Sequence, residues 1–181
     1  MTVNSKLLAL DFGEKRIGIA VSDENKKYSF ARDYMQNDKD FLPGIFRLIR
    51  EENISRIIIG YPLNFKSEKT IQTEKTEAFR KTLEDYLFKN SYTADIIFFD
   101  ERLTSKIAES GLLNSGMKKK KRQEKGIVDS MSAQIILQDY IDKLKNQEDK
   151  RLCQDLVGGT PGLRKIIFIL SREGSNLGDF P

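Results

Sequence analysis

The chain has 181 residues, 39% of them hydrophobic and 32% charged, with a formal net charge of +4; this suits a single soluble globular domain with a full core. It holds one cysteine, Cys153, and no histidine, which excludes a disulfide framework, a Ser-His-Asp or Cys-His triad and a Cys/His zinc cage. No apolar run approaches the ~20 residues of a membrane span and no signal-peptide pattern opens the chain, so the expected setting is the cytoplasm, away from membranes. The chemistry that remains is carboxylates with a hard metal ion, or Lys and Tyr chemistry. The positive balance modestly favours a polyanionic partner.

In chain order, residues 5–12 and 16–23 read as two strands joined by Gly13-Glu14-Lys15, the glycine supplying backbone freedom for the turn. Lys27 to Arg32 adds a third, antiparallel strand. Asp38 to Glu52 reads as a helix with Phe41, Ile45, Phe46, Leu48 and Ile49 inward and Pro43 in its first turn. Ile54 to Ile59 is a short β-branched strand that stops at Gly60-Tyr61-Pro62-Leu63-Asn64, where proline ends sheet pairing. Thr70 to Asn90 is a long, highly charged helix, and Ala94 to Phe99 is another strand, running into Asp100-Glu101-Arg102. Thr104 or Ser105 would cap a short helix to about Leu113. An exposed basic loop follows at Lys118, Lys119, Lys120, Lys121 and Arg122, and a last helix spans about Gln123 to Lys145. Residues 1–145 therefore read as the domain, and 146–181 as a loosely packed C-terminal extension.

Alternating strands and helices imply parallel pairing with right-handed crossovers. The first strand and those near residues 54 and 94 then share one carboxyl edge, where open α/β sheets bind ligands. Asp11 ends the first strand, Glu101 follows the last, and Asn64 lies in the loop after the middle one. On the last helix Asp129 shares a stripe with Ala133, Ile136 and Tyr140, so it projects toward the sheet and Asp11. Three converging carboxylates repel one another unless a cation neutralises them, and Mg²⁺ or Mn²⁺ suits an oxygen-rich site. Two such ions can activate water and stabilise the leaving oxygen of a phosphodiester without histidine. Singly, each acid has a plainer role: Asp11 in capping a turn, Glu101 in pairing with Arg102, Asp129 in serving a helix dipole. Asp23 reads as a turn residue and Asp100 as a loop or supporting group. The 118–122 run, with Lys15, Arg16, Asn64 and Arg102, is the candidate nucleic-acid surface, although Arg16 and Arg102 suit ion pairs equally well.

At these positions the chain resembles the YqgF family of Holliday junction resolvase-like and pre-16S rRNA nuclease proteins. The resemblance runs through Leu8-Ala9-Leu10-Asp11-Phe12-Gly13, Arg16-Ile17-Gly18-Ile19-Ala20-Val21-Ser22-Asp23, Ile59-Gly60-Tyr61-Pro62-Leu63-Asn64, Asp100-Glu101-Arg102-Leu103-Thr104-Ser105 and Val128-Asp129-Ser130-Met131-Ser132-Ala133. It implies an RNase H-like α/β fold: a five-stranded mixed sheet of order 3-2-1-4-5 with strand 2 antiparallel, flanked by helices. It also implies a cytoplasmic metal-dependent nuclease maturing the 5′ end of 16S rRNA, as monomer or homodimer, with Asp11, Glu101 and Asp129 as its acids. RuvC-type relatives carry an acid after strand 4 and a paired acid on the last helix. Here the strand-4 acid is missing and Ser132 stands three residues after Asp129.

Three other functions compete. One is cleavage of four-way DNA junctions at the same site. Another is ATP binding of the sugar-kinase and actin type, which shares the Asp-x-Gly hairpin but needs two lobes. The last is a nucleic-acid binding module without catalysis.

Overall fold

The structure, a computed structural model, describes residues 5–62, 70–100 and 125–156. In chain order these hold β1 (Lys6–Phe12), β2 (Arg16–Ser22), β3 (Ser29–Gln36), α1 (Phe41–Glu51), β4 (Ile54–Tyr61), α2 (Ile71–Lys89), β5 (Asp95–Asp100) and α3 (Lys125–Leu156). The strands form one sheet of order β3-β2-β1-β4-β5. β2 is antiparallel to both β1 and β3, whereas β1, β4 and β5 run parallel. This is the RNase H-like arrangement expected from the sequence. By its contacts the chain divides into two units, Met1–Ile141 and Asp142–Pro181, with the sheet, α1 and α2 in the first. No helix among the described residues is long and apolar enough to cross a membrane.

The two faces of the sheet are built from different residues, and this positions the site. On one face Leu8, Leu10, Ile17, Ile19, Val21, Ile57 and Ile59 pack against Phe41, Ile45 and Ile49 of α1 and Phe79, Leu83 and Leu87 of α2. Bulky branched side chains there hold the helices off the strands and fill the gap. The opposite face carries small residues. Ala9 and Ala20 are opposite one another, as are Asp11 and Gly18. Residues directly opposite in an antiparallel pair share a face, so all four lie on the side that receives α3.

The start of α3 approaches this face at backbone distance: a Cβ on Gly18 would lie 2.0 Å from the Asp129 carbonyl oxygen. Ala133, Ile136, Leu137 and Tyr140 are buried along the same helix. Polar contacts lock its rotation. The Ser29 hydroxyl donates to the Gln134 carbonyl at 2.9 Å, the Gln134 amide donates to the Ser29 carbonyl at 3.0 Å, and Arg56 Nη1 donates to the Tyr140 hydroxyl at 2.7 Å.

Two elements differ in extent from the sequence reading. β3 continues to Gln36, where the reading ends it at Arg32. Its outward positions are polar, so alternation fades, but main-chain pairing with β2 carries on across a register shift to Met35–Ile17 and Gln36–Arg16. The last helix continues to Leu156, past Lys145. The residues between are polar but helix-compatible, and the first breaker in the sequence is Gly158-Gly159.

Candidate active site

Asp11 and Asp129 meet where β1 ends and α3 begins. β1 supplies Asp11 on the small-residue face, and its register partner Gly18 leaves the space that α3 fills with the backbone of Asp129. The β1–β2 turn is tight: the Gly13 amide donates to the Arg16 carbonyl at 3.1 Å, and a Cβ on Gly13 would lie 2.5 Å from that oxygen. The Asn37 side chain secures the turn by donating to the Gly13 carbonyl at 3.0 Å. Arg16, emerging from the turn, donates through Nε to Asp129 Oδ2 at 3.0 Å.

The electrostatics of the pair follow from this crowding. Burial first, and the Asp129 charge second, push the Asp11 carboxyl up from its ordinary 3.8 to about 7. The Ser132 hydroxyl opposes both by donating a hydrogen bond to the Asp11 carboxylate. Ser132 is itself buried. At spacing i, i+3 on α3, Asp129 and Ser132 share a face, so one helix turn delivers both a like charge and a donor to Asp11.

This donor set is short of positive charge. Two half-buried carboxylates lie in one another's field, and Arg16 is paired with only one of the two. A divalent cation fits that imbalance, and oxygen ligands suit Mg²⁺ or Mn²⁺. Among the described residues no group of three or more potential metal ligands occurs. The third expected acid, Glu101, lies outside the described residues, as do Asn64, Arg102 and Lys118, Lys119, Lys120, Lys121 and Arg122.

The remaining candidates are placed as follows. Lys15 is exposed at the tip of the β1–β2 turn. Arg16 is half-buried, held by Asp129, with its guanidinium 5.7 Å from the Tyr34 ring centroid. Asp23 works in a turn: its Oδ1 accepts from the Lys27 and Tyr28 amides at 2.7 and 2.8 Å. Asp100 ends β5 in register with Tyr61. Sequence reasoning missed Ser132 as a partner of Asp11 and Gly18 as the seat of Asp129. The available signal was the run of small residues on one strand face, Gly18 and Ala20 opposite Asp11 and Ala9.

Comparisons with known proteins identify a family. The family model described as RuvX, Holliday junction resolvase, matches residues 5–143. A protein of Sulfurihydrogenibium sp. named "Putative pre-16S rRNA nuclease" is 41% identical over 140 residues, covering 77% of this chain and 92% of that one. A relative of the same name from Chloroflexus aurantiacus is 36% identical over 146 residues, covering 80% and 91%. Among solved structures, T. thermophilus RuvC in complex with a Holliday junction substrate aligns with a TM-score of 0.46 at 6% identity, covering 73% of this chain and 91% of that chain.

Proposed function

The chain belongs to the RuvX Holliday junction resolvase family and is a nuclease, and from that premise we propose a metal-dependent endonuclease acting on the 5′ end of pre-16S rRNA in the cytoplasm. The observation that carries the metal-dependent reading is the juxtaposition of Asp11 and Asp129, with Asp11 pushed to about 7 by burial and by its neighbour. Asp11 and Asp129 would hold the cation, with Glu101 as the third ligand. When bound, that cation supplies a nucleophilic water at neutral pH and stabilises the leaving oxygen of the phosphodiester.

The protein's own residues do the rest. Gly18 and the polar clamp at Ser29 fix where α3 starts, and hence where Asp129 stands. Ser132 keeps the Asp11 carboxylate oriented and more readily ionised. Lys15 and the 118–122 run supply unspecific phosphate contacts. The RNA substrate is supported by the name shared by relatives of which this chain covers nine-tenths.

The test is cleavage of a precursor 16S 5′-leader RNA beside a four-way DNA junction, each with Mg²⁺ or Mn²⁺ and with chelator. We expect metal-dependent cleavage of the RNA that Asp11→Asn and Asp129→Asn both abolish. Cleavage that survives both substitutions overturns the site. Cleavage of the junction alone overturns the RNA assignment and leaves the site standing.

A further inference from the structure

We propose that Arg16 is a resident counter-ion of the acid pair, which keeps divalent-cation affinity low until a nucleic-acid phosphate arrives to take the guanidinium. This rests on the reading of Asp11 and Asp129 as the cation site. Arg16 opens β2 on the face that receives α3, and its Nε makes a single hydrogen bond to Asp129 Oδ2 at 3.0 Å. Its two Nη groups make no hydrogen bond among the described residues, and the side chain is 24% exposed. One face of the guanidinium lies toward Tyr34, which is itself 41% exposed. A guanidinium normally meets a carboxylate as a fork, with two parallel bonds. Here half of the fork is spent and half is open, beside the place where a phosphate would be cleaved.

The contact is not needed to seat the helix. Gly18 against the Asp129 backbone, the Ser29–Gln134 pair of bonds and Arg56–Tyr140 already do so. Arg16 therefore acts on the charge of the site. Its removal has two opposed effects on a bound cation. It frees the Asp129 side chain, whose ordering costs a few-fold in affinity. It also takes away a nearby positive charge; at a separation on the order of 6 Å a unit charge is worth about tenfold for a divalent ion even at the dielectric constant of water. The charge effect is the larger. A phosphate that draws the open Nη edge toward itself weakens the hold on Asp129, so cation and phosphate each favour the other's binding, as linkage requires.

The test is Mn²⁺ binding to the full chain, read from the electron paramagnetic resonance signal of free Mn²⁺ at pH 8. Titrations are run with and without an uncleavable single-stranded 2′-O-methyl RNA. Arg16→Gln and Arg16→Met should each bind Mn²⁺ about tenfold more tightly than wild type without RNA, about 1.4 kcal/mol. Arg16→Lys, which keeps the charge, should stay near wild type. RNA should tighten Mn²⁺ binding more in wild type than in Arg16→Gln, by about the same tenfold. Unchanged or weaker Mn²⁺ binding in folded Arg16→Gln and Arg16→Met overturns the inference. Asp11→Asn separates the readings: if it leaves Mn²⁺ binding intact, the cation site itself is wrong and the inference falls with it. If it abolishes binding while the Arg16 variants stay neutral, only the inference falls.

Discussion

Replacing Asp11 with asparagine should stabilise the metal-free protein while abolishing cleavage, and the gain should depend on pH. Asp11 stands at about 7 in the folded protein against an ordinary 3.8, with burial the main cause. Below pH ~4 folded and unfolded chains both carry the proton. Between ~4 and ~7 the folded protein retains a proton that the unfolded chain has released, so stability falls as pH rises. Above ~7 the loss is complete, with a ceiling on the order of 4 kcal/mol from the size of the shift. Asparagine removes the charge and still accepts from Ser132, but its amide must be desolvated at a cost of ~1–3 kcal/mol. A net gain of ~2 kcal/mol at pH 8 corresponds to about 4–8 °C in Tm for a domain of this size. At pH 5 the linkage loss is only on the order of 1.6 kcal/mol, which the amide desolvation offsets, so the two proteins should melt close together. The assay is thermal unfolding in chelator at pH 5 and pH 8, repeated with Mg²⁺. Saturating Mg²⁺ at ~100 Kd should raise wild type by about 2.7 kcal/mol and leave Asp11→Asn where it was. Equal melting of the two proteins at pH 8, or equal stabilisation of both by Mg²⁺, refutes the reasoning.

Two further substitutions probe what supports the pair, and a third tests a buried guanidinium on α2. Gly18→Ala places a Cβ 2.0 Å from the Asp129 carbonyl oxygen; the overpacking should cost ~1–3 kcal/mol in denaturant titrations and weaken Mn²⁺ binding by displacing Asp129. Ser132→Ala removes the donor to the Asp11 carboxylate. It should lower stability by ~1 kcal/mol at pH 8, less at pH 5, and move the acid limb of the cleavage pH profile upward. Arg80→Met should leave stability unchanged or raise it by up to ~1 kcal/mol in chemical denaturation. The Arg80 Nε is buried with no hydrogen-bond partner among the described residues, and its guanidinium lies 5.1 Å from the Phe98 ring centroid, a contact methionine can replace.

The sheet was legible because its central strands are signalled by buried side chains. Leu8, Leu10, Ile57, Ile58 and Ile59 are wholly buried, and runs of that kind mark strands covered on both faces. The far end of β3 gave no such signal. Arg32, Asp33, Tyr34 and Gln36 are exposed, and the strand is carried past the register shift by main-chain pairing of Met35 and Gln36 with Ile17 and Arg16. At the site, Asp11 and Asp129 were legible as charges in apolar patterns. Gly18 was not, because what it contributes is the absence of a side chain, and that has meaning only once the helix above it is known.

Ser132 bears on the charge balance of the Asp11–Asp129 pair. It shares a helix face with Asp129 and donates to Asp11. A carboxylate in its place would remove that hydrogen bond and add a second like charge next to a group already raised to about 7. Both changes push Asp11 further up, so that in the absence of a cation the cluster would keep a proton throughout the physiological range. A hydroxyl does the reverse and leaves Asp11 ionisable near neutral pH. Arg16 lowers the net negative charge of the pair by pairing with Asp129. At the proposed cation site, negative charge brought by a substrate phosphate would then strengthen the hold on a metal ion. Asp129→Asn should therefore move the Asp11 carboxyl back down toward 3.8, because it removes the neighbouring charge and leaves only burial to raise it.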